Sequence, residues 1–151
     1  LHEHLFEYKT HMMQNYGAGV QACYRGPRLY DTPETQAAVT EVIQWYKKYR
    51  DILNSDMIHL RRPDARDWDG FIHVNPHKKE KGLAMFFNPP HQEITRTIHI
   101  PLYYTGLTQT ARIREKEQKP VTYKLNRNYT VELTVKIPAN GYTWYVVEAA
   151  D

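Results

Sequence analysis

The sequence predicts an α+β protein that is mainly β. An N-terminal helical segment is followed by an antiparallel β-sandwich of about seven or eight strands. Three observations carry this. The hydrophobic period switches abruptly after Asn54, from three-and-four spacing to two. The run from Tyr129 to Ile137 alternates cleanly, with Tyr129, Val131, Leu133, Val135 and Ile137 opposite Thr130, Glu132, Thr134 and Lys136. The stretch KGLAMFFNPP, from Lys81 to Pro90, is apolar on both faces. Leu83, Met85 and Phe87 share one side, and Ala84 and Phe86 the other, so it reads as a central strand. One of its covers is the facing sheet. The other is either the helical segment or something outside the chain.

The first helix runs from Leu1 to about Tyr16, with Leu5, Phe6, Tyr8, Met12 and Met13 at loosely helical spacing, and Gly17 and Gly19 stop it. An irregular stretch, GAGVQACYRGPRLYD, follows. Thr32-Pro33-Glu34 opens the second helix: Thr32 caps, Pro33 suits the first helical position, and Glu34 meets the positive end of the dipole. Its apolar positions are Ala38, Val39, Val42, Ile43, Trp45, Tyr46, Tyr49, Ile52 and Leu53, a stripe wide enough to need a large partner surface.

Short strands are expected near Ile58–Arg61, Phe71–Val74 and Leu83–Asn88. Ile94, Ile98, Ile100 and Leu102 then share a face opposite Thr95, Thr97 and His99. A charged turn from Glu115 to Lys119 precedes the alternating set Val121, Tyr123 and Leu125. After the run ending at Ile137, Pro138-Ala139-Asn140-Gly141 predicts a hairpin, with Tyr142–Glu148 as the return strand. The expected domain division is residues 1–54 helical and 55–151 sandwich.

The 151 residues suit one domain, or one domain with an appendage. The net charge is +3 and the pI about 8.9, but acids and bases interleave. Lys78-Lys79-Glu80-Lys81 reads as a charged loop tip, and no nucleic-acid partner is expected. No apolar run approaches a membrane span, so no membrane partner is expected. The single cysteine, Cys23, excludes an intramolecular disulfide but leaves the compartment open. The chain begins within a helical pattern, without an initiator Met or a signal sequence, and reads as cut from something longer.

Chemistry-bearing patterns are sparse. Ser55, the one serine, sits in Asn54-Ser55-Asp56 without a nucleophile-elbow context and reads as a turn residue. Cys23 reads as a small buried residue. His2-Glu3-His4 does not complete a zinc motif, because position 6 is Phe6. His59, His73 and His99 sit in strands and could converge on a metal, but no spacing demands it, and neither a metal nor a cofactor is expected. Asp64, Asp67 and Asp69 form the densest carboxylate cluster. It lacks a calcium-loop spacing, and Arg61, Arg62 and Arg66 lie among the acids, so a loop with local ion pairs accounts for it. Asn128-Tyr129-Thr130 is a glycosylation sequon, meaningful only in a secretory eukaryotic setting. Tyr103-Tyr104, Phe86-Phe87, Tyr142, Trp144 and Tyr145 could stack against sugars or simply form core.

The run WYKKYRDILNSDMIHLRRPDARDWDGFIHVNP, then KGLAMFFNPP and the closing NGYTWYVVE, resembles the C-terminal end of bacterial α-galactosidase-like glycoside hydrolases. The resemblance spans nearly the whole chain and rests on the order and character of its segments. It implies a (β/α)8 barrel followed by an antiparallel sandwich, with the catalytic carboxylates on barrel strands upstream of Leu1. No catalytic residue is therefore expected here: none of Asp31, Asp51, Asp56, Asp64, Asp67 or Asp69 matches an acid or nucleophile motif. By the resemblance, Gln21–Arg28 would fall near the last barrel strand. Tyr24 and Arg25 are then carbohydrate-contact candidates, with Tyr104 and Trp144 added from the aromatics. The implied partner is an upstream catalytic barrel of the same polypeptide, with carbohydrate as a second partner. An extracellular or periplasmic parent enzyme fits. The other readings are a free-standing carbohydrate-binding sandwich and a protein-interaction domain whose helical stripe makes the fragment self-associate.

Overall fold

The computed structural model describes residues 1–21 and 27–150. A 3₁₀ turn at His2–His4 leads into α1 (Leu5–Gly17), and α2 (Pro33–Leu53) follows. Then come β1 (Asp56–Arg61), β2 (Asp69–Val74), β3 (Glu80–Asn88) and β4 (Ile94–Pro101). A second 3₁₀ turn, Tyr103–Thr105, precedes β5 (Thr110–Glu115), β6 (Val121–Lys124), β7 (Thr130–Ile137) and β8 (Gly141–Glu148). All strand pairs are antiparallel. Six strands form one sheet in the order β1-β2-β3-β8-β5-β6, and β4 and β7 form a second.

The result is three layers around two cores. Between the sheets lie Ile72, Ala84, Phe86, Ile98, Ile100, Val131, Val135 and Ile137. On the other face of the six-stranded sheet, Met12 and Met13 of α1 and Val39, Val42, Tyr49 and Ile52 of α2 meet Phe71, Leu83, Met85 and Val146. β3 is thus the hinge of the whole arrangement. Leu83, Ala84, Met85 and Phe86 are all fully buried, with odd positions under the helices and even ones under β4 and β7. The second cover of KGLAMFFNPP is the helical segment of this same chain. Leu83, Met85 and Phe86 each contribute about 1.5–3 kcal/mol when taken out of water.

The helix start is built as the sequence suggests. Thr32 Oγ1 accepts from Thr35 N at 3.2 Å, and Thr35 Oγ1 accepts from Thr32 N at 3.0 Å. This is a reciprocal capping box with Thr in place of the usual Glu. At the other end of the helical layer, His73 of β2 is 1% exposed. Its Nε2 donates to Gly17 O at 2.6 Å, and its Nδ1 lies 3.3 Å from Ser55 O. The ring therefore ties the end of α1 and the link after α2 to the sheet. Burial lowers its pKa, against the two carbonyl contacts that raise it.

Two expectations are corrected. Asn140-Gly141 does not close a hairpin between paired strands, because β7 pairs with β4 whereas β8 pairs with β3 and β5. Asn140 does adopt a positive φ of 51° and Gly141 N bonds Pro138 O, so the turn is real, but it carries the chain from one sheet to the other. The cause is burial: β7 is buried on one face only, while nearly all of β8 is covered and belongs between two neighbours. The second correction is β5, an unanticipated strand between Leu102 and the charged turn. Ala111 and Ile113 point into the core, while Arg112 and Arg114 point out of it.

Candidate functional site

Two surface regions carry most of the polar and aromatic chemistry. The first lies between α2 and the turn after β5. Trp144 of β8 forms its floor, 5% exposed. Its ring meets Trp45 at 5.5 Å and Tyr49 at 5.3 Å, the latter edge-on. Above it opens a groove of about 710 Å3 walled by Gln36, Thr40, Gln44 and Lys48 of α2 and by Glu117. The buried Trp45 Nε1 beside it has no hydrogen-bond partner among the described residues.

A chain of charged groups clamps helix to sheet there. Lys48 Nζ and the Tyr49 hydroxyl both donate to Glu117 Oε1, the lysine at 2.9 Å. Arg114 Nη2 donates to Tyr49 OH at 3.1 Å, and Arg114 Nη1 to Glu148 Oε1 at 3.1 Å. Arg112 Nη2 reaches Glu148 Oε2, also at 3.1 Å. Burial alone would raise the Glu148 pKa, but the two arginines outweigh it and hold the carboxyl below its ordinary value. Thr143 Oγ1 donates to Glu115 Oε1 at 2.6 Å beside this network. The sequence shows Glu115–Lys119 only as a charged turn, which does not reveal the clamp. The alternation of Ala111 and Ile113 with Arg112 and Arg114 was the signal that would have found it.

The second region is at the end of β4. The turn Tyr103–Thr105 presents Tyr103 and Tyr104 at 61% and 62% exposure. Their rings stand 5.1 Å apart at 88°, and Tyr103 meets Tyr129 at 5.4 Å and 73°. The turn is anchored from below. Leu102 is fully buried and its N–H bonds Tyr129 O at 2.8 Å. Thr105 is fully buried, and its hydroxyl donates to Leu102 O. Gly106 closes the turn at φ 78°, where an added Cβ would come within 3.0 Å of Pro76 Cβ.

Other predicted groups resolve as structure. Asp64 is held by Arg61 at 2.9 and 3.2 Å and accepts the N–H groups of Arg66 and Asp67. These bonds, Arg61 first, depress its pKa well below the carboxylate range. Asp67 pairs with Arg96 at 3.3 Å, and burial raises the pKa of Asp69. His59 is exposed on the edge strand, His73 is buried under the helices, and His99 lies on the outer face of the other sheet beside Glu132. The three do not converge. Among the described residues, no group of three His, Cys, Asp or Glu side chains is placed to hold a metal ion. Of the carbohydrate-contact candidates, Tyr104 is exposed and Trp144 is a buried floor, so they belong to separate regions. Tyr24 and Arg25 lie outside the described residues, as does Cys23.

No family model matches the sequence, and no curated protein matches it. Solved structures do. Alpha-galactosidase I from Mortierella vinacea aligns over 95% of this chain and 35% of its own, with a TM-score of 0.61 and 15% identity. A β-L-arabinopyranosidase from Geobacillus stearothermophilus aligns over 97% and 31%, with a TM-score of 0.64 and 11% identity. The fold is that of the C-terminal region of α-galactosidase-like enzymes. This C-terminal fold includes the helices as well as the sandwich, since nearly all of the chain is matched. The chain spans about a third of the length of the structures it matches. An alpha-amylase from Geobacillus thermoleovorans, over 97% of this chain and 34% of its own, matches at a TM-score of 0.62 and 12% identity. The fold is therefore shared by enzymes named for different substrates and does not choose a sugar.

Proposed function

We propose that this chain is the non-catalytic C-terminal part of a glycoside hydrolase, and that its sandwich buttresses a catalytic barrel of the same polypeptide. In this reading residues 1–54 are the end of the barrel and residues 55–151 the accessory sandwich. The observation that carries it is a group of exposed apolar side chains on the helical layer. Leu1, Phe6, Val20, Leu29 and Tyr30 are all 42% exposed or more, and all belong to the helical segment and its loop. The outer face of β4 and β7 instead shows Thr95, Thr97, His99, Glu132, Thr134 and Lys136. The helical layer thus carries apolar surface that a barrel of the same polypeptide would cover, while the sandwich also exposes Met57, Tyr103, Tyr104 and Val121. Covering each of the helical-layer side chains would contribute up to about 1.5–3 kcal/mol before the entropy cost of docking.

The chemistry agrees with a supporting role. Asp64, Asp67 and Glu148 are paired with arginines, Glu117 with Lys48 and Tyr49, and Glu115 with Thr143. The expected result is that the purified 151-residue chain does not turn over an aryl α-glycoside. It should also self-associate through its helical side, with Phe6→Ser and Leu29→Ser shifting it toward monomer in light scattering. Turnover by the isolated chain would defeat the proposal, and so would a gene with no barrel encoded upstream of Leu1.

A further inference from the structure

We infer that Tyr103, Tyr104 and Tyr129 form a binding corner for the terminal sugar unit of an oligosaccharide, on the sandwich itself. Three observations meet here. Two large rings stand more than half in water at 61% and 62% exposure, although burying them elsewhere would have stabilised the fold. They are held rigidly, because the turn below them hangs on the fully buried Leu102 and Thr105. Tyr129, which braces Tyr103, adopts a left-handed φ of 61°. A bulky residue in that region carries a strain of about 1–2 kcal/mol, which the fold sustains in order to place this ring. Its N–H bonds Asn126 O at 2.9 Å and fixes it there.

Beside the rings, and sharing Tyr129 with them, opens a groove of about 530 Å3 lined by Gln109, Thr110, Lys124, Asn126 and Arg127. Neither Lys124 nor Arg127 has an ion pair with a described residue, and the three tyrosine hydroxyls have no hydrogen bond to one. The corner therefore offers an aromatic face, then uncommitted donors within the same depression. A pyranose has the matching character, with an apolar C–H face and a rim of hydroxyls. The ring geometry also selects among carbohydrates. At 88° and 73° the rings make an angle rather than a plane. A flat polysaccharide surface needs coplanar rings, whereas a single sugar or chain end fits into a corner. Tyr103 touches both other rings, so Tyr104 supplies the free stacking face.

The choice of carbohydrate over other ring-faced ligands rests on the glycoside-hydrolase reading above, but its test is independent of any barrel. Tyrosine-ring NMR signals of the chain are followed during titration with galactose, melibiose and maltotriose. We expect the signals of Tyr103, Tyr104 and Tyr129 to move with at least one of these, with a Kd in the millimolar range. Tyr104→Ala, an exposed change that leaves the core intact, should weaken binding by about tenfold, and Tyr104→Phe should stay within about threefold because it keeps the ring. Two results would overturn the inference: no shift of these rings with any of the three sugars at about 50 mM, or equal binding by Tyr104→Ala. A catalytically inactive chain that binds sugar supports both proposals. A chain that binds no sugar leaves the supporting role standing alone.

Discussion

Arg114→Leu tests whether the α2–sheet clamp holds the helical layer in place. Arg114 is 16% exposed in its side chain and Glu148 10%, at 3.1 Å from each other, while Arg112 is 38% exposed. Breaking a buried ion pair by removing one partner costs about 3–5 kcal/mol, and an exposed pair is worth about 0–1. Glu148 keeps Arg112 after the change, and the site is partly wet. The structure therefore places the loss at about 2–3 kcal/mol, including the lost bond to Tyr49. Urea unfolding followed by the fluorescence of Trp45 and Trp144, which flank the clamp, would show the midpoint falling by about 1–1.5 M for a slope near 2 kcal/mol/M. The double change Arg114→Leu with Glu148→Leu should recover about 1–2 kcal/mol of the summed single losses, because no charge is then left buried alone. The pH dependence has a definite sign. Glu148 titrates lower in the folded state, so its contribution is complete above its unfolded value of about 4.3 and is lost as pH falls through the folded value. The cost of Arg114→Leu should shrink over that same interval. A loss under about 0.5 kcal/mol, or strict additivity of the two changes, would show that these charges are merely solvated and would refute the clamp.

Thr32→Ala removes one half of the capping box and should cost about 1 kcal/mol in the same unfolding measurement, with Thr32→Ser largely neutral. Gly106→Ala forces a Cβ into the left-handed region and against Pro76, and should cost about 1–2 kcal/mol while broadening the ring signals of Tyr103 and Tyr104. His73 has a folded pKa below its ordinary value, so the chain is favoured at high pH and loses stability as pH falls from about 6.5 toward that lower value, with a slope approaching 1.4 kcal/mol per pH unit at most. His73→Leu should lack this acid-dependent loss in unfolding measured from about pH 8 to pH 5. Parallel loss in both proteins would assign the acid sensitivity elsewhere.

Local chemistry is written in this sequence and was readable from it. Thr32-Pro33 starts a helix because its capping oxygen and missing N–H act within one turn, and Thr130–Ile137 is a half-buried strand because its alternation matches the pleat. The central role of KGLAMFFNPP was also legible, since a strand apolar on both faces must be covered twice. Which covers it receives was decided only in three dimensions. The helical stripe from Ala38 to Leu53 and the face of Leu83, Met85 and Phe87 each needed a large partner, and nothing in one dimension says that they are each other's. The same holds for Asn140-Gly141, where the turn was correct but its two strands joined different sheets. Arg112 and Arg114 meet Glu148 across 36 and 34 residues of chain, and that meeting depends on β5 pairing with β8. The tyrosine corner likewise joins Tyr103 to Tyr129 through the pairing of β4 with β7. Backbone propensity and pattern act over a few residues, so the sequence by itself determined the elements and their buried faces. The choice of partner is a comparison of competing surfaces, and only the assembled layers settle it.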